Sequence, residues 1–239
     1  MAHLIALIPA RSGSKRIVAK NVRPLSGHPL LAYTICAARE SGVFDRVIVS
    51  TDSEDTAALA RTYGAEIPFL RPAELAGDLS PDIEWVNHAL ERVECDAFSI
   101  LRPTSPFRLP ATIQRAVRQF LASNGADSLR AVQKATEHPG KMWVKRGDLI
   151  VPLLPFASNG TRWQSTPYQG LPQVLVQNAS LEIAWARIPK ETMTIEGDAV
   201  SPFMTEGYEG YDLNDEIDWV VAEHLVTSKK AELPRVTRA

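Results

Sequence analysis

Cysteine is scarce: the 239 residues hold two, Cys36 and Cys95. Two thiols can build neither a disulfide framework nor, alone, a zinc site; both fall in apolar-periodic segments and read as buried thiols in a reducing compartment. An excess of charge is missing too, with 26 Lys+Arg against 28 Asp+Glu and a formal net charge of −2. That balance removes a general electrostatic drive toward nucleic acid or an acidic membrane surface, so basic residues that matter must be locally clustered. No apolar run approaches membrane-spanning length. The apolar start, Met1 to Ala10, is broken by Pro9 and followed by Arg11, which fits a buried first strand rather than a signal peptide. The expectation is a cytoplasmic protein with no nucleic-acid and no membrane partner. Histidines are few, and no His/Ser/Asp or Cys/His set is spaced for nucleophilic catalysis. His28, His88 and His224 sit in helix-like contexts and read as packed.

Short β-branched runs are present. Leu4–Ile8, Arg46–Ser50, Ala97–Leu101 and Ser128–Val132 suit strands covered on both faces. Between them lie helix signals. Pro29 opens a run through Ala38, and Ser53 precedes one through Tyr63 that Gly64 ends. Ser80 reads as an N-cap with Pro81 at the first helical position, ahead of Val86, Ala89, Leu90 and Val93 on one face. Pro110 opens a helix with the stripe Ile113, Val117, Phe120 and Leu121; Ile217, Val220, Val221 and Leu225 mark a last helix. Alternating strands and helices predict an α/β fold, a mainly parallel central sheet with helices on both faces. Residues 137–173 contain five prolines and read as an inserted arm and dimer contact. The α/β domain is then 1–136 with 174–228, and 229–239 is expected to be a flexible tail.

Four constellations carry chemistry. Arg11, Lys15, Arg16 and Lys20 place four cations within ten residues after the first strand, around Ser12, Gly13 and Ser14. Ligands of open α/β sheets bind at the carboxyl ends of strands, and a cation cluster there suits a polyphosphate. Gly13 would let the backbone approach closely, although the loop has neither the Walker nor the dinucleotide glycine spacing. The bland alternative is a solvated basic loop. Arg102-Pro103-Thr104-Ser105-Pro106-Phe107-Arg108 follows the third strand and presents hydroxyls from a stiff turn. Arg71 to Ser80 is a polar loop that could clamp a base or ribose. Asp212 and Asn214 alternate by two before the last helix, so in extended chain both face one way, as Mg²⁺ ligands could. Asp215 and Glu216 fit a helix start, where the dipole favours acids.

Taken together, Ile8-Pro9-Ala10-Arg11-Ser12-Gly13-Ser14-Lys15, Lys20-Asn21, Val49-Ser50-Thr51-Asp52, Arg71-Pro72-Ala73-Glu74-Leu75, Pro103 to Arg108 and Tyr211-Asp212-Leu213-Asn214 resemble, in order, the motifs of the acylneuraminate cytidylyltransferases, the CMP-sialic acid synthetase family. The resemblance spans roughly Leu4 to Leu225. It implies a Rossmann-like nucleotidyltransferase fold, a small dimerisation arm and a homodimer. It also implies Mg²⁺-dependent transfer of CMP from CTP to the anomeric hydroxyl of a nine-carbon 2-keto sugar acid (sialic, legionaminic or pseudaminic type), releasing pyrophosphate. By position, Arg11, Lys15, Lys20 and Asp212 would be catalytic. Arg11, Ser12, Gly13, Ser14, Lys15, Lys20, Asn21, Arg71 and Ser80 would bind the nucleotide. Arg102, Thr104, Lys141, Gln169 and Asn178 would bind the sugar acid, and Asp212 with Asn214 the metal.

The chain departs from the family pattern at informative places. Arg102 stands where Gln is usual, Asn214 where a second Asp is, Tyr168-Gln169 where Arg-Gln is, Asn178-Ala179 where Asn-Gly is, and Glu182 where Tyr is common. An amide oxygen can ligate Mg²⁺ but brings no charge, so metal affinity should fall. Arg102 is expected to supply the carboxylate contact that Tyr168 cannot. The altered sugar pocket keeps two alternatives open: another acceptor, such as an eight-carbon keto acid or sugar phosphate, and a degenerate homologue that binds nucleotide without turnover.

Overall fold

The opening apolar run forms strand β1 (Leu4–Pro9), whose side chains alternate between two cores. Leu4, Ala6 and Ile8 face one cluster and Ile5 and Leu7 the other. Coverage on both sides is why the run reads as continuously apolar. The computed structural model describes residues 2–158 and 160–239. β2 (Arg46–Ser50), β3 (Ala97–Ile100), β4 (Ser128–Lys134), β5 (Leu175–Trp185) and β6 (Val200–Met204) complete a six-stranded sheet in the order β6-β4-β5-β3-β1-β2. β1 runs parallel to both β2 and β3, while β5 joins β3 antiparallel.

Helices α1 (Leu30–Ser41) and α4 (Pro110–Ala122) cover the face of Leu4 and Ile8 through Leu31, Ile35, Ile113 and Phe120. Helix α3 (Asp82–Leu90) covers the other face through Trp85, Val86 and Ala89. Helix α2 (Glu54–Thr62) is capped by Ser53, whose hydroxyl accepts the Thr56 N–H. Helix α5 (Arg187–Thr192) is one short piece. Asp215 and Asp218 form a capping box that starts α6 (Glu216–Thr227). The fold is thus α/β, with helices on both faces of a mostly parallel sheet.

A third cluster positions the loops. Ile17 from the basic loop, Phe107 from the loop after β3 and Leu213 from the segment before α6 pack with Trp219, Leu225, Leu30 and Tyr33. Full burial of an aliphatic side chain contributes about 1.5–3 kcal/mol, so each polar loop carries an apolar anchor that holds it in place.

Two compact units divide the chain: residues 1–131 with 178–239, and residues 132–177. The second contains a hairpin of Trp143–Arg146 and Leu149–Pro152, closed by a turn in which Gly147 has φ 61°. That left-handed value fits the turn type that matches strand twist. Trp143, Leu149 and Ile150 on it are exposed.

Several expectations are corrected. Ser80 does not cap α3: Pro81 holds the N-cap position, and the Ser80 hydroxyl donates to the Glu74 carbonyl. Leu121, Ile217, Val220 and Val221 are exposed; α6 buries Trp219, Ala222 and Leu225 instead. His28 and His224 are exposed, and of the three histidines only His88 is buried; Cys95 is half-buried. The tail is anchored where fraying was expected. Val236 packs against two of the clusters, and the Ala239 N–H donates to the Thr62 carbonyl. Among the described residues no helix is long and apolar enough to cross a membrane.

Candidate active site

The carboxyl ends of β1, β2 and β3 open on a cleft of about 200 Å³. Its walls include Arg11, Ser14, Lys15, Lys20 and Asn21 from the loop after β1, with Arg71, Asp82, Arg102 and Thr104. Eight of the residues given nucleotide, acceptor or catalytic roles from the sequence therefore meet in one place, with Arg16 beside them. Ser12 turns away, donating its N–H and hydroxyl to Asp52 at 2.8 and 2.6 Å. Gly13 has open space where a Cβ would stand and no positive φ, so nothing in this conformation demands glycine there. Asn178 donates its amide to Thr205 Oγ1 and accepts the Ser180 N–H. Lys141 and Gln169 belong to the unit 132–177, where Lys141 Nζ donates to the Gln164 and Thr166 carbonyls.

Each cation of the basic loop has a local oxygen partner. Arg11 reaches Asp78 Oδ1 at 2.8 Å and the Ala76 carbonyl at 3.2 Å, and Lys15 reaches Asp78 Oδ2 at 2.5 Å. These contacts from Lys15 and Arg11 hold the Asp78 carboxyl below its usual range. Lys20 donates to the Leu213 carbonyl at 3.0 Å. Burial lowers the Lys20 ammonium from its ordinary value, against the opposing pull of Asp212. Asn21 is buried and ties its amide to the Arg11 carbonyl at 3.1 Å, which fixes the turn.

Arg71 is buried under the cleft. Its guanidinium donates to Ser50 Oγ and the Ser50 carbonyl, both at 3.0 Å, and stacks 4.9 Å over Trp85. Burial pushes it down to about 10, partly offset by Asp52 and Asp82. Arg102 is engaged by acids at one nitrogen: Nη2 lies 2.8 Å from both Asp82 and Glu182. Two departures from the family pattern, Arg102 and Glu182, are therefore bonded to one another.

The segment before α6 closes the same region. The Leu213 N–H donates to the Thr104 carbonyl at 2.9 Å, Arg16 lies 3.4 Å from Asn214 Oδ1, and Lys20 feels the charge of Asp212. Asp212 Oδ2 accepts the Asn214 amide at 2.9 Å, while Oδ1 is buried with no hydrogen-bond partner. Such an orphaned carboxylate oxygen costs free energy unless a cation or donor meets it. Among the described residues no three His, Cys, Asp or Glu gather to hold a metal. A hard ion taking one carboxylate and filling its shell with phosphate and water oxygens fits this donor set, and Mg²⁺ binds in that manner. Asn214 turns its amide nitrogen to Asp212 and its oxygen to Arg16, so service as a second ligand requires the amide to turn.

Sequence reasoning missed Asp78 and Asp82, the acids that hold Arg11, Lys15 and Arg102, and Asp52, which holds Ser12. The signal for Asp78 was present, an acid in the polar loop facing an excess of basic residues. Asp82 looked like an ordinary first-turn helix acid.

Comparison with known proteins extends the reading. The family model described as Cytidylyltransferase matches residues 5–144. The chain is 34% identical over 233 residues to the CMP-N,N'-diacetyllegionaminic acid synthase of Legionella pneumophila, covering 93% of this chain and 96% of that protein. It is 49% identical over 118 residues to the N-acylneuraminate cytidylyltransferase of Escherichia coli, a match that covers 49% of this chain and 28% of that one. Its fold is similar to a solved CMP:2-keto-3-deoxy-manno-octonic acid synthetase complexed with CTP, with a TM-score of 0.71, 12% identity, and 95% and 99% of the two chains covered. With the family model spanning more than half its length and the Legionella enzyme aligned nearly end to end, the chain belongs to the cytidylyltransferase family.

Proposed function

We propose that this enzyme transfers CMP from CTP to the anomeric hydroxyl of a nine-carbon 2-keto sugar acid. The hydroxyl oxygen attacks the α-phosphorus in line, a new O–P bond forms, the bond to the bridging oxygen breaks, pyrophosphate leaves, and the hydroxyl proton passes to solvent. Arg11, Lys15 and Lys20 bind the triphosphate and offset the charge that builds on its oxygens. Asn21 and Arg71 set the cytidine end, with Arg102 and Thr104 at the acceptor end. Asp212 would hold Mg²⁺, which when bound neutralises phosphate charge and acidifies the attacking hydroxyl. The observation that carries the reading is the junction of the basic loop with the Asp212 segment, through Lys20 and the Leu213 carbonyl at 3.0 Å.

The exposed apolar side chains of the 143–152 hairpin support a homodimer built through this arm. The reading carries with it a cytoplasmic setting, where CTP is made. The deciding assay measures pyrophosphate release with each nucleoside triphosphate against sialic, legionaminic, pseudaminic and eight-carbon keto acids. Release with CTP and a nine-carbon acid supports the proposal; release only with another nucleotide, only with an eight-carbon acid, or with none of the pairs overturns it.

A further inference from the structure

Six side chains of alternating charge form a connected row: Arg71, Asp82, Arg102, Glu182, Arg130 and Glu196. Arg71 stacks on Trp85, whose indole N–H donates to Asp82 Oδ1 at 2.7 Å. Asp82 Oδ2 accepts from Arg102 Nη2 at 2.8 Å, and the same nitrogen reaches Glu182 Oε1 at 2.8 Å. Glu182 Oε2 accepts from Arg130 at 2.9 Å, and Arg130 lies 3.6 Å from Glu196. The inner members are shielded: the Glu182 side chain is 10% exposed and that of Arg102 24%. Three cations and three anions cancel, so the row adds no net charge to the cleft beside it.

The row leaves Arg102 with a particular geometry. Two carboxylates share its Nη2, while among the described residues its Nε and Nη1 make no hydrogen bond. Its backbone is gripped as well, since the buried Arg108 donates to the Arg102 carbonyl at 3.2 and 3.3 Å. A guanidinium fixed at Nη2 and lining the cleft keeps two separate single donors, Nε–H and Nη1–H, for anionic or hydroxyl oxygens.

We infer that Asp82 and Glu182 are positioning residues for the two substrates. Glu182 fixes Arg102 so that its remaining N–H donors meet the oxygen-rich end of the acceptor. Asp82 joins that arginine to Arg71, so that the nucleotide and acceptor ends of the cleft are set together. This rests on the proposed reaction. Its consequence is reciprocal coupling: bound CTP strengthens acceptor binding, and the acceptor strengthens CTP binding by the same factor.

The test compares wild type with E182Q, D82N and the double replacement R102M/E182L, by calorimetry with CTP and by initial rates of pyrophosphate release. E182Q should raise the acceptor KM about tenfold while CTP affinity stays within about twofold; D82N should weaken both and abolish their coupling. Removing one partner of a shielded pair leaves its charge unmatched; the double replacement removes Arg102 and Glu182 together and leaves Asp82, whose side chain is 42% exposed, and Arg130, which keeps Glu196 at 3.6 Å. The double variant should melt near wild type yet keep the raised acceptor KM. Equal effects of E182Q on both substrates, no effect on either, or a wild-type acceptor KM in R102M/E182L would overturn the inference. A wild type that releases no pyrophosphate defeats the proposed reaction instead; calorimetry with CTP on D82N then still decides the nucleotide half, and unchanged affinity overturns that half.

Discussion

Replacing Lys20 with methionine tests the junction on which the reaction rests. Met keeps most of the apolar stem and deletes the charge. Lys20 Nζ stands 3.0 Å from the Leu213 carbonyl at the mouth of a cleft it shares with Arg11 and Lys15. A hydrogen bond to a charged group contributes about 1.5–3 kcal/mol, so losing one to a triphosphate should weaken CTP binding roughly 10- to 100-fold. The orphaned Leu213 carbonyl lies beside the cleft, where water can replace the ammonium; the melting temperature should therefore barely move.

Calorimetric titration with CTP at fixed ionic strength reads the affinity, and a thermal melt confirms the fold. Lys20→Arg sharpens the test through pH. Burial lowers the Lys20 ammonium, so in the free protein its proton is lost at a lower pH than from an ordinary lysine. Wild-type affinity for CTP should therefore begin to fall earlier on the alkaline side than that of the arginine variant, whose guanidinium stays charged. A folded Lys20→Met protein that binds CTP within about twofold of wild type would show that Lys20 does not face the triphosphate.

Asp78 grips both Arg11 and Lys15, at 2.8 and 2.5 Å, and a triphosphate must displace it. Asp78→Asn should therefore tighten CTP binding about two- to fivefold at low salt, because exposed ion pairs are weak competitors; weaker binding would mean that the acid organises the loop rather than competing for it. Tyr33 concerns stability: burial pushes its phenol from 10 up to about 12, although the hydroxyl donates to the Leu25 carbonyl at 2.6 Å. With the folded value above the unfolded one, this contribution is complete below pH 10 and disappears as pH rises toward 12, for a loss of roughly 2–3 kcal/mol. Urea unfolding at pH 8, 10 and 11 should show that fall in wild type and a smaller one in Tyr33→Phe; matching pH slopes would refute the assignment.

The strands were legible because burial on both faces leaves no polar alternation to misread, as Leu4 to Ile8 shows. Helix α6 was legible as a helix but not by face. Apolar residues surround it, and the stripe through Ile217, Val220 and Val221 competes with one through Trp219, Ala222 and Leu225. The second is buried because it meets Ile17, Phe107 and Leu213, residues far away in sequence. Ser80 had the right type and place for a cap, yet its hydroxyl satisfies the Glu74 carbonyl and leaves the helix start to Pro81. The bond between Arg102 and Glu182 spans 80 positions and joins a loop to a strand, a pairing no local pattern announces.

The same reasoning explains why a loop with four cations in ten residues stays folded beside the cleft. Mutual repulsion should splay Arg11, Lys15, Arg16 and Lys20 into water, and two kinds of contact oppose it. Ile17, buried in the middle of the run, anchors the chain among Leu30, Leu213 and Trp219. The cations themselves take oxygens from outside the loop: Asp78 serves Arg11 and Lys15, Asn214 serves Arg16, and the Leu213 carbonyl serves Lys20. Most of these partners are exposed or neutral, so a triphosphate with several charged oxygens can outcompete them without unseating Ile17. The apolar anchor fixes where the charges stand, and the exchangeable oxygens keep them available to a ligand.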